Sequence, residues 1–308
     1  MLKGWGFMKV SFLFCLSILS LAACSNRSPN SSTVSLSGTQ NIIGGNDVAL
    51  TDEAAKSTVF LLNTTLAADG KSFRIGSTCS GSLISDRLVI TAAHCLKIET
   101  KLNSQIPLAQ DTVIFVFFGN SWIYKTLPEK LSAGVIGTAP IRYARRAATL
   151  PDPLYSGTER GTIRDIEAND IGLIALNETA PSGFLPAKIL TDASILKPGA
   201  SVLTAGYGPT NRDVKTGQSV LRSVEMKIQN LEPHWNQIHL ADNRGHGVIP
   251  GDSGGPSFIT KDGQMYLWGV NSITSATGDG TMTSIEVIAN DLDFIKRGAM
   301  FLGVPSPL

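Results

Sequence analysis

From residue 42 onward the sequence predicts an all-β fold, built as closed barrels or a sandwich, with one short helix at the C-terminus. Three observations carry this. The runs Arg87–Ile90, Thr112–Phe118, Ile171–Leu176, Ser201–Thr204, Tyr266–Val270 and Ser284–Ile288 are rich in β-branched and aromatic residues, which pack well on a pleated surface. Gly, Pro, Asn and Asp punctuate the chain between them, as turns between short strands require. Helical periodicity is clear only near the end, where Asn290 is placed to cap a helix carrying Leu292, Phe294, Ile295 and Met300 on its apolar side.

At 308 residues the chain is long enough for one large or two small domains. A composition of 43% hydrophobic and 17% charged residues supports an ample core. A net charge of +1 offers no concentrated basic face, so nucleic acid is not an expected partner. The four His and four Cys form no pair-plus-pair pattern, and structural zinc needs four converging ligands. No metal and no cofactor are expected.

The N-terminus reads as an export signal. Lys3 and Lys9 precede the apolar run Val10–Leu21, which ends in Leu21-Ala22-Ala23-Cys24. The run is shorter than the roughly 20 residues a membrane-spanning helix needs. Leu-Ala-Ala-Cys resembles a bacterial lipobox, which implies cleavage after residue 23 and lipid on Cys24; the alternative is a plain secretory signal with Cys24 incidental. Met8 makes a more typical start than Met1. Ser25 after the lipidated Cys favours the outer membrane or cell surface. Residues 24–41 are rich in Ser and Asn and cannot bury enough apolar area to order themselves, so they read as a tether. Cys79 and Cys95 are then the cysteines left over, in an oxidising compartment that permits them to pair.

Three segments carry chemistry. Serine-based hydrolysis needs an activated hydroxyl, an oriented base and backbone donors for the oxyanion. Gly251-Asp252-Ser253-Gly254-Gly255-Pro256 supplies a Ser in a glycine-flanked turn, with the Gly251 and Ser253 N–H groups as candidate donors. Thr91-Ala92-Ala93-His94-Cys95 follows an apolar strand and presents an imidazole. Asn169-Asp170-Ile171-Gly172-Leu173 opens another apolar strand with a carboxylate. Asp152 and Asp165 are rival carboxylates; Asp170 is preferred because the strand follows it directly.

These segments, in the order His, Asp, Ser, resemble the signature segments of the chymotrypsin/trypsin family. Ile42-Ile43-Gly44-Gly45 is similar to the family's mature N-terminus, Gly206-Tyr207-Gly208 to its Gly-Trp-Gly, and Cys79-Ser80-Gly81-Ser82-Leu83-Ile84 to the strand whose Cys pairs with the Cys after the catalytic His. The resemblance runs from Ile42 to about Met300, within an expected protease domain over residues 42–302. It implies two antiparallel β-barrels and a serine endopeptidase using His94, Asp170 and Ser253 through an acyl-enzyme. It also implies an oxyanion hole of Gly251 and Ser253, a Cys79–Cys95 disulfide, and protein or peptide substrates.

The resemblance further implies activation by cleavage before Ile42, whose new amine would pair with Asp252. Asn41–Ile42 is not a tryptic bond, so another protease is the expected partner, and cutting there would release the enzyme from its lipid anchor. Departures bear on specificity. Ile249 stands where a pocket-wall Cys is common, and Gly247 occupies the position at which trypsin carries its pocket-floor Asp. Without that carboxylate a buried Lys or Arg side chain has no countercharge, although Asp279 is placed to supply one from the opposite wall. Ser272-Ile273-Thr274 is the expected edge for pairing with substrate. The rival reading is a surface-anchored binding module on an inactive protease fold, which has no physical need for all three triad residues.

Overall fold

The computed structural model describes residues 45–308, apart from 71, 100–104, 124–140, 156–168, 209–217, 233–236, 243–245 and 278–279. The expected signal peptide, Cys24, the tether, Ile42, Asp165 and Asp279 therefore lie outside the described residues.

Strand β1 (Asn46–Asp47) and a short helix, Glu53–Ser57, lead into β2 (Thr58–Leu66), β3 (Phe73–Ser85), β4 (Leu88–Thr91), β5 (Lys97–Glu99) and β6 (Gln105–Pro107). There follow β7 (Thr112–Phe117), β8 (Ser121–Ile123), β9 (Ile141–Arg145), β10 (Thr149–Pro151) and β11 (Gly172–Ala175). The second half holds β12 (Ser201–Gly206), β13 (Gln218–Val220), β14 (Arg222–Glu232), β15 (Gln237–Asp242), β16 (Pro256–Lys261), β17 (Gln264–Thr277) and β18 (Gly280–Val287). A final helix spans Leu292–Phe301.

Both halves are antiparallel, as the sequence leads one to expect. In the second, β14-β12-β16-β17-β18-β15 closes on itself through β14–β15 pairing, giving a six-stranded barrel with β1 added outside β14. In the first, the sheet β10-β11-β4-β3-β2-β7-β9 curls into a half-barrel. The two small ribbons, β5–β6 and β8–β13, lie outside these sheets.

Large apolar side chains fill the two halves and the seam between them. Phe60 of β2 packs against Phe117 of β7 at 5.6 Å and against Tyr207 of the second half at 5.7 Å between ring centres. Tyr207 is fully buried, and that burial raises its phenol pKa. Its hydroxyl donates to the Gly119 and Thr58 carbonyls, so the aromatic body is dry while its polar end is satisfied. A second cluster, with Met226, Leu240, Trp268 and Ile285 at its centre, fills the closed barrel.

The C-terminal helix departs from expectation in two details. Asp291, not Asn290, occupies the cap position, because residues 288–290 form a tight 3₁₀ turn first. Its inward face is Ile295, Gly298 and Ala299, whereas Met300 is 76% exposed. Five residues carry Met300 about 140° around the helix from Ile295. Gly298 fits because Leu173 and Leu150 leave no room for a larger side chain.

Candidate active site

Strand β4 is wholly buried between β3 and β11 and delivers the chain into the 3₁₀ turn Ala93–Leu96. That turn holds His94 with its side chain 26% exposed. Cys95, next to it, is bonded to Cys79 of β3, with Cα atoms 6.3 Å apart. Closing a loop of this size stabilises the fold by about 3 kcal/mol through chain entropy. Asn63 Nδ2 donates to the Cys95 carbonyl at 2.8 Å, tying the same turn to β2. Although Cys79, His94 and Cys95 bring ligand-type atoms within 4.8 Å of one another, both sulfurs are consumed by the disulfide. The donor set is not one for a metal.

The register Gly172↔Thr91 sets Asp170, just before β11, beside the His94 turn. Asp170 is fully buried. Its Oδ1 accepts the His94 backbone N–H at 2.9 Å. Its Oδ2 lies 2.7 Å from His94 Nδ1 and accepts the Ser272 hydroxyl at 2.6 Å. A carboxylate facing Nδ1 holds the ring proton there and leaves Nε2 as the acceptor. From behind, the Asp170 N–H donates to Glu286 Oε2 at 3.3 Å. Of the rival carboxylates, Asp152 is occupied elsewhere: it accepts the Leu154 N–H at 2.7 Å, and burial raises its pKa.

The segment from Ile249 to Gly255 can be accounted for amide by amide. Ile249 N–H donates to Asp252 Oδ2 at 2.9 Å. Asp252 N–H donates to the Ile249 carbonyl, Gly254 N–H to the Asn271 carbonyl, and Gly255 N–H to the Asp252 carbonyl. Pro250 has no N–H. Among the described residues, only the Gly251 and Ser253 amides of this turn have no acceptor. Ser253 itself is half-buried.

Asp252 anchors the turn. It is fully buried, with Oδ1 accepting the Gly208 N–H at 2.7 Å. A Cβ on Gly206 would stand 2.4 Å from Asp252 Oδ1, and one on Gly208 would stand 2.7 Å from Oδ2. The Gly-Tyr-Gly sequence is therefore dictated by the carboxylate that lies against it. Burial pushes Asp252 up to about 7, outweighing the two amides and Arg222.

The turn is held against the other half of the molecule. Gly254, at φ +80°, has Thr91 Oγ1 and the Ser80 carbonyl where a side chain would sit. Ser80 N–H donates to the Ser253 carbonyl at 2.8 Å. The nucleophile candidate thus abuts the strand that leads to His94.

The substrate-edge residues fall at an irregularity. β17 pairs with β18 at Asn271↔Ile285 and again at Thr274↔Thr283, and Ser272 and Ile273 lie between. A bulge of this kind frees backbone from the ladder. Gly247 is buried, and the next residue, Val248, donates its N–H to Thr283 Oγ1 at 3.3 Å. Sequence reasoning assigned no role to Glu286, Ser80 or Asn271.

Residues 42–129 and 137–291 match the family model described as Trypsin. The chain belongs to the trypsin family of serine endopeptidases. It is 26% identical over 277 residues to phenoloxidase-activating factor 3 of Holotrichia diomphalia, covering 83% of this chain and 72% of that protein. Spermosin of Halocynthia roretzi is 23% identical over 239 residues, covering 73% of this chain and 55% of its own length. Chymotrypsin of Phaedon cochleariae is 28% identical over 197 residues, 59% of each chain.

The buried Asp252 carboxyl has a consequence for stability. Its folded pKa, about 7, lies above the ordinary 3.8, so the folded chain binds the proton more tightly than the unfolded one. Its contribution is fully present below pH 3.8 and is lost as pH rises through 7. In protein uncut before Ile42, the stability difference between wild type and Asp252→Ala should fall by about 4 kcal/mol between pH 4 and pH 7.5 in urea titrations. A difference that stays level with pH would contradict this.

Proposed function

We propose that the chain hydrolyses peptide bonds through Ser253, His94 and Asp170 by way of an acyl-enzyme, without a cofactor. The observation that best supports this is the contact at 2.7 Å between His94 and the buried Asp170 carboxylate, together with a turn whose unclaimed amides are those of Gly251 and Ser253. In this reading Ser253 Oγ attacks the substrate carbonyl carbon and His94 Nε2 takes its proton. The oxyanion that forms is met by the Gly251 and Ser253 N–H groups, which need no reorganisation as charge develops. His94 returns the proton to the leaving amine, and water repeats the sequence on the acyl-enzyme. Asp170 keeps the imidazole in its productive tautomer and stabilises its charged form.

The substrate strand pairs with the edge at Ser272–Thr274, and its P1 side chain enters over Gly247. With no carboxylate at that position, uncharged P1 side chains are expected to be accepted, without strong preference for Lys or Arg. Cleavage of a peptide library tests both claims. Wild-type protein should cut mainly after uncharged residues, and purified Ser253→Ala and His94→Ala should not cut at all. Near-wild-type cleavage by folded Ser253→Ala would sink the mechanism; cleavage confined to Arg and Lys would sink the pocket reading.

The N-terminal segments fit the same reading. Export as a bacterial lipoprotein acylated on Cys24, with the tether over residues 24–41, would hold the precursor at a membrane. Cutting Asn41–Ile42 would free an amine that titrates near pH 7.7–8.0 when unpaired. Its ammonium would pair with the buried Asp252, adding to the two amides and Arg222, which do not offset the burial of this carboxyl. N-terminal sequencing and mass spectrometry of membrane and soluble fractions should find diacylated Cys24 on an inactive precursor and Ile42 on the active soluble form. Full activity in a species that keeps residues 24–41 would overturn the activation step, and an unmodified Cys24 would overturn the anchor.

A further inference from the structure

We infer that Ser80 is a positioning residue for the oxyanion hole, acting from the first half of the molecule on the nucleophile turn of the second; this rests on the peptidase reading above. Ser80 lies in β3, one residue after the disulfide-bonded Cys79, and is fully buried. Its hydroxyl donates to the Gly251 carbonyl at 2.8 Å and accepts the Tyr207 N–H at 2.9 Å. Its backbone N–H donates to the Ser253 carbonyl at 2.8 Å. Its own carbonyl accepts the Thr91 hydroxyl at 2.8 Å, in the strand that leads to His94.

The two residues whose N–H groups are left without acceptors, Gly251 and Ser253, are therefore the two whose carbonyls Ser80 holds. One is fixed by its side chain and the other by its backbone. Gly251 sits at φ +103°, a conformation open mainly to glycine. A glycine has no side chain of its own to restrain rotation about ψ. The Gly251 carbonyl shares its peptide plane with the Asp252 N–H. With one held by Ser80 and the other by the Ile249 carbonyl, that plane cannot turn. The preceding plane, which carries the Gly251 N–H, is thereby held from its C-terminal side. The Ser80 hydroxyl is in turn aimed by the Tyr207 amide, which leaves its proton for Gly251. Gly206-Tyr207-Gly208, closed on Asp252 from one side, thus also fixes the oxyanion donor from the other.

The hydroxyl can be removed without touching the backbone bond to Ser253. In Ser80→Ala the Gly251 donor is misaimed while substrate contacts remain, so kcat should fall about 10- to 100-fold, with KM within about twofold of wild type. Loss of a whole donor costs about 10²–10³-fold. A purely structural role is separated from this by an affinity ratio. A peptide aldehyde forms a tetrahedral adduct on Ser253 whose oxyanion occupies the hole, whereas the matching peptide alcohol forms none. Partial unfolding weakens both equally, so the ratio of their inhibition constants reports the hole alone. Ser80→Ala should lower the aldehyde preference at least tenfold, and Ser80→Thr, which keeps a hydroxyl, should recover most of it. An aldehyde preference in Ser80→Ala within twofold of wild type would overturn the inference. Wild-type protein that shows no preference for the aldehyde over the alcohol would instead overturn the peptidase reading beneath it.

Discussion

One buried carboxylate, Asp170, sets the terms for the rest of the site. An ionised acid taken out of water without partners is too costly to keep, and Asp170 is fully buried. It is held by donors from both halves of the chain: the His94 amide and ring from the first, and the Ser272 hydroxyl from the second. The bonds from His94 that satisfy its oxygens are also the bonds that aim the imidazole. With the Ser272 bond they also make the two halves depend on each other, since neither can satisfy Asp170 alone.

A second buried carboxyl, Asp252, works differently. Its hydrogen-bond partners are backbone amides from Gly208 and Ile249, which shape the Ser253 turn; together with Arg222 they leave burial dominant, so its pKa stands near 7. Asp170 is met by an imidazole and a hydroxyl, whereas the amides and Arg222 around Asp252 do not offset its burial. That contrast is the physical basis for proposing that a new N-terminal ammonium at Ile42 completes the turn.

The fold class was legible because its signal is local. β-branched runs such as Thr112–Phe118, separated by turn residues, cannot be read as helices, and β4, β7, β11, β12, β17 and β18 all fall where those runs occur. His94, Asp170, Ser253 and the Cys79–Cys95 pair stood out because each sits in a motif of several residues. Ser80 and Glu286 did not, because their roles are set by partners far along the chain: Gly251 for one and Asp170 for the other. No local pattern encodes such a pairing. The helix start was missed because a 3₁₀ turn at 288–290 precedes it, and the outward turn of Met300 because five residues carry it about 140° from Ile295.

The central claim is that Ser253 is a nucleophile activated through His94 by Asp170, within a fold that both halves share. It is tested most directly by the rate at which a fluorophosphonate modifies the purified active protein, with the adduct located by mass spectrometry. The account predicts a single adduct on Ser253, formed about 10⁴-fold more slowly in Asp170→Asn while circular dichroism shows the fold retained. Labelling of Asp170→Asn at the wild-type rate, or an adduct on any other residue, would contradict it.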